Sequence, residues 1–124
     1  MNWHESLPIN CPPKGAKQTN KERFFRATTK SNEGQITTNE FCPSKKKSGD
    51  DCIDKGISVY TDIEACKYVA FMPFYQKNGS YIAEIVLENN AGMILKTLGL
   101  HHFTWWKTKD HIPKIVSITE IKKE

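Results

Sequence analysis

The chain has 124 residues, 38% hydrophobic, 10% aromatic and 26% charged, with a formal net charge of +4 at pH 7. That is one domain's worth of sequence, too apolar for a disordered or collagen-like chain. It holds no apolar run near the ~18 residues that a membrane-spanning helix needs. Met1-Asn2-Trp3-His4-Glu5 lacks the cationic head and apolar stretch of a secretion signal, so the expected location is cytoplasmic. By the same reasoning Cys11, Cys42, Cys52 and Cys66, which form no CxxC pair, read as free thiols. The basic excess falls in the first fifty residues, where Lys45-Lys46-Lys47 is the one true cluster and sits in a loop-like context.

Residues 1–22, with Pro8, Pro12, Pro13 and Gly15, read as an irregular arm, and 23–124 as a single domain. Arg23–Thr29 is rich in β-formers and carries aromatics on both faces, the pattern of a central strand. A short helix is expected after Ser48, with Asp50 and Asp51 in its first turn and Gly56 at its exit. Ile57–Tyr60 alternates as a strand. Thr61-Asp62-Ile63-Glu64 matches a capping box, with Thr61 as the cap of a helix whose apolar stripe is Ile63, Cys66 and Ala70 and which ends by Pro73. Tyr81–Glu88 alternates strictly, Asn89-Asn90-Ala91-Gly92 has turn chemistry, and Met93–Leu95, His101–Trp106 and Ile115–Ile121 supply three further strands. The order reads as an α+β domain with a mainly antiparallel sheet and two short helices.

Several side chains stand out chemically. Arg26, between aromatics on a strand, is costly to bury unpaired, and its planar fork suits a phosphate or carboxylate. Glu84 and Glu88 share a strand face about 13 Å apart at ~3.3 Å per residue. That is too wide for a coupled pair, but leaves either able to hold a ligand hydroxyl. In His101-His102-Phe103-Thr104-Trp105-Trp106 the two adjacent histidines point to opposite faces and cannot easily share a metal, so no metal is expected. His102 and Trp106 fall on one face as a stacking platform for a nicotinamide or a base. Ser58 and Tyr60 share the outer face of their strand. Phosphate-loop, dinucleotide and α/β-hydrolase motifs are missing from the sequence.

The succession of Phe25-Arg26-Ala27 on an early strand, Gly56-Ile57-Ser58-Val59-Tyr60 feeding a capped helix, and a later strand bearing Glu84 or Glu88 resembles the Arg–Ser–Glu order of the ADP-ribosyltransferase superfamily. The resemblance covers residues 23–90. It lacks the Ser-Thr-Ser triplet and the Glu-x-Glu of that pattern. It implies a split antiparallel sheet around an NAD cleft. In that cleft Arg26 would hold the pyrophosphate or ribose, and Ser58 would shape the nicotinamide side. Glu84 or Glu88 would steady the charge that develops as nicotinamide leaves. Tyr60, His102 and Trp106 are the further candidates for contact with NAD. Two other readings stand beside it. One is a non-catalytic interaction module with a protein partner, such as an immunity or accessory protein. The other, not favoured, is an RNA-binding domain using Lys45–Lys47, Trp105 and Trp106. No membrane partner is expected.

Overall fold

The strict alternation of Tyr81–Leu87 and the β-branched and aromatic runs around it build one sheet, and the three α-helices among the described residues each start at an acidic cap or a proline. A computed structural model describes residues 2–44 and 48–122. Among them lie strands β1 (Lys17–Gln18), β2 (Glu22–Thr28), β3 (Ile57–Tyr60), β4 (Tyr81–Leu87), β5 (Gly92–Lys96), β6 (His102–Lys107) and β7 (Lys114–Glu120). The helices are α1 (Asp51–Asp54), α2 (Ile63–Ala70) and α3 (Pro73–Asn78), with single helical turns at Glu33–Gln35 and Thr38–Glu40. All strand pairs are antiparallel, in the order β1-β5-β6-β3-β2-β4-β7. The domain is thus α+β, with β2 and β3 at its centre. No helix among the described residues is long and apolar enough to cross a membrane.

Local chemistry explains the helix boundaries. Asp50 caps α1 by accepting from the Cys52 and Ile53 amides, and Asp62, one residue after the expected Thr61, caps α2 by accepting from the Glu64 amide. Pro73, expected only as a stop, opens a third helix. Its missing N–H costs nothing in the first helical turn.

Each face of the sheet carries its own core. On one, Ile36 and Phe41 from the 33–41 segment cover Phe24, Ile57, Val59, Ala83, Ile85, Leu87, Ile94 and Trp105. On the other, α2 lays Cys66 and Ala70 on Ala27 and Ile82. The rest of this second face is crossed by residues 3–18. Trp3 bridges Thr108, the His4 amide donates to Lys107 O at 2.9 Å, and β1 pairs with β5. Trp106 is 1% exposed here and donates its Nε1 to Cys52 O at 2.8 Å.

This crossing corrects the cysteine expectation. Residue 11 is carried onto α1, and Cys11 and Cys52 are disulfide-bonded with their Cα atoms 5.6 Å apart. Sequence spacing could not show it, because the pairing depends on where the arm lands. Cys42 and Cys66 remain thiols. Burial pushes Cys66 up to about 12, which makes it an inert part of the core.

Gly92 opens β5 at φ +134°, and a Cβ there would collide with the Trp106 carbonyl oxygen. Only glycine lets β5 approach β6 this closely.

Candidate functional site

The site begins where the central strands part. β2 and β3 share one bridged pair, Phe25 with Tyr60, and then diverge, leaving the Ser58 carbonyl without a strand partner across the gap. Arg26 fills the opening. Its NH1 donates to Ser58 O at 2.7 Å, its NH2 to Cys42 O at 3.2 Å at the surface, and its Nε to Glu40 O at 3.4 Å. A guanidinium has five N–H donors. Three meet backbone carbonyls among the described residues, so two are left. The Cβ of Arg26 lies on the face of Ala83, opposite the Ser58 side chain, but its charge acts across the opening. It lowers the pKa of Tyr60 and of Tyr75 against the larger effect of burial, which raises both.

On the second face Ser58 sits diagonally across from His102, because Ser58 pairs with Thr104 and Tyr60 with His102. Ser58 Oγ is 2.8 Å from His102 Nε2. The other ring nitrogen, Nδ1, lies 3.0 Å from Thr97 O and 3.0 Å from Thr97 Oγ1, and Thr97 Oγ1 is 2.6 Å from Thr104 Oγ1. A carbonyl can only accept, so Nδ1 carries the proton and donates to Thr97 O. Nε2 is then the acceptor for the Ser58 hydroxyl. Tyr60 packs edge-on to the imidazole with ring centroids 5.2 Å apart. Burial lowers the His102 pKa below its usual 6.5, opposed by the smaller effect of the bond to Thr97, so the neutral ring is favoured.

Of the seven residues singled out in the sequence, Arg26, Ser58, Tyr60 and His102 form one connected cluster. The carboxylates stand apart from it. Glu84 occupies the same cross-sheet row (His102, Tyr60, Phe25, Glu84), with Phe25 between it and Tyr60, and pairs with Arg23 at 3.1 Å. Glu88 lies just past the end of β4, where its backbone carbonyl takes the Thr19 hydroxyl. Two expectations need correction. Trp106 offers no stacking surface, since the arm and α1 bury it and use its N–H. His102 is 8% exposed with both nitrogens engaged, so it is not an open platform. His101 points the other way, as strand alternation requires, and approaches Asp62 at 3.8 Å. Lys45–Lys47 lie outside the described residues.

Sequence reasoning missed Thr97 and the Glu40–Cys42 carbonyls. Thr97 was legible in principle, because a hairpin turning near residues 97–101 sets it opposite His102. The carbonyls carry no side-chain signal at all.

Two histidines, His102 and His111, contribute to the acid response of the fold. Burial lowers the pKa of His102 and also of His111, whose Nε2 is buried without a hydrogen-bond partner among the described residues. Below about pH 6.5 the unfolded chain takes protons that these rings refuse in the folded state. Stability is therefore full above that pH and falls as acid is added, by at most about 1.4 kcal/mol per pH unit for each ring. Urea midpoints should drop between pH 7.5 and 5, and less steeply in His102→Gln.

Compared with protein-family models, with curated proteins and with solved structures, the chain matches none.

Proposed function

We propose that this is an ADP-ribosyltransferase-like domain that binds NAD at the parting of β2 and β3 and breaks its bond to nicotinamide, by transfer or by hydrolysis. One observation carries the reading. The Arg26 guanidinium donates to the main-chain carbonyl of Ser58 at 2.7 Å, which sets the two residues side by side where β2 and β3 are held by a single bridged pair. Two unengaged N–H donors of Arg26 suit a pyrophosphate oxygen pair. The row from His102 to Glu84 spans three strand spacings, about 14 Å at ~4.8 Å each, a scale that fits a dinucleotide better than a single ring. Glu84, once drawn from Arg23, is the carboxylate to steady the oxocarbenium-like charge as nicotinamide departs.

Calorimetric titration with NAD tests the reading. Wild type should bind, and Arg26→Ala should weaken binding at least tenfold, about 1.4 kcal/mol. Glu84→Gln should bind NAD normally but release nicotinamide at least a hundredfold more slowly. Absence of NAD binding at millimolar concentration by the folded wild type would sink it.

A second reading, a protein-interaction module, draws on a different surface. Tyr68, Met72 and Phe74 on and between α2 and α3 are 80%, 52% and 59% exposed, an apolar display beyond what a solvated helix pair requires. Retention of a protein partner by wild type and its loss on Tyr68→Lys with Phe74→Lys would favour this reading if NAD fails.

A further inference from the structure

We propose that Ser58 and His102 form a nucleophile–base dyad that cleaves small carboxylic esters through an acyl-Ser58 intermediate. The proposal goes beyond NAD binding and does not depend on it. Three parts of such a dyad are present in their required order. The hydroxyl is at hydrogen-bond distance from Nε2 (2.8 Å), the opposite nitrogen is fixed at 3.0 Å by the Thr97 carbonyl, and the tautomer so imposed leaves Nε2 free to take a proton. A main-chain carbonyl here does the orienting that a carboxylate does in a triad. Ser58 is half-buried while His102 is buried, so the base is the more shielded of the two.

The step balances as follows. Oγ attacks the ester carbonyl carbon as its proton passes to Nε2, and the carbonyl π pair becomes an oxyanion. Collapse of the oxyanion breaks the bond to the alkoxy oxygen, which leaves with the proton from Nε2. Water then attacks the acyl-serine, its proton again taken by Nε2, and the carboxylic acid departs as Ser58 is restored.

A fluorophosphonate probe, which bonds to an activated serine with loss of fluoride, tests the dyad, with the adduct mapped by mass spectrometry and p-nitrophenyl acetate turnover followed beside it. Wild type should carry the adduct on Ser58, Ser58→Ala should carry none, and His102→Gln should react about a hundredfold more slowly. The wild-type rate should fall as the pH drops below 6.5. The other ionisable group packed against the imidazole, Tyr60 from β3, has its pKa raised by burial and stays neutral between pH 5 and 8. No adduct on Ser58, or an adduct formed equally fast in a folded His102→Gln, would overturn the proposal. Should His102→Gln fail to fold, the wild-type adduct position and pH profile still decide. The readout is a covalent mass on Ser58, so this proposal and the NAD reading can fail separately.

Discussion

Breaking the Cys11–Cys52 bond is expected to cost about 4 kcal/mol. The bridge joins residues 41 apart in sequence, and closing a loop of that length restricts the unfolded chain by this amount in the chain-entropy account. Domains of ordinary stability hold about 5–15 kcal/mol in total, so the loss is a large share. At about 4 °C per kcal/mol for a chain of this size, thermal unfolding in reductant, or of a Cys11→Ala/Cys52→Ala variant, should come about 15 °C earlier. Reductant should do nothing further to the variant. Thiol titration gives a second check. Without reductant the folded protein should show fast reaction at exposed Cys42 alone, and Cys66 should react only after unfolding. An unchanged melting temperature in reductant would show that the arm is held by its backbone and side-chain contacts alone.

The second large effect belongs to Trp105. It is fully buried, meets Phe41 edge-on at 6.0 Å, and donates its Nε1 to Ala91 O at 3.0 Å. Trp105→Ala removes the largest side chain of the main core and leaves that carbonyl without its indole donor, a cost of about 4–5 kcal/mol. Trp105→Phe keeps most of the packing and should lose about 1–2 kcal/mol, chiefly the hydrogen bond. Urea unfolding of both variants separates cavity from hydrogen bond. A loss below about 1 kcal/mol for the alanine variant would mean that the ring does not support both the 33–41 segment and the sheet.

What could be read from the sequence was what depends on neighbours along the chain. Period-two alternation located β4, and β-branched pairs located β3. The aromatics on both faces of Arg23–Thr29 marked a central strand, because such a strand must be covered twice. Arg26 was legible as a side chain needing partners, but not as one that meets three carbonyls, since carbonyls are common to every residue and only the parting of β2 from β3 leaves one open. Trp106 was misread for a related reason. Alternation assigned it to a face, and nothing local said that the arm would cover that face. The Cys11–Cys52 pairing escaped for the same cause. Ser58 and His102 are 44 residues apart, and their meeting is a matter of strand register, which follows only once β3 and β6 are known to be neighbours.

The arm that crosses the second face also sets the order in which the domain can be finished. Trp3, His4 and Lys17 find their partners on Thr108, Lys107 and Ile94, so the arm must wait for β5 and β6, far later in the chain, before it has anything to dock on. Contacts of such long range are formed late and slowly. Until they form, Trp106 lacks the cover of the arm and its side of the sheet stays wet.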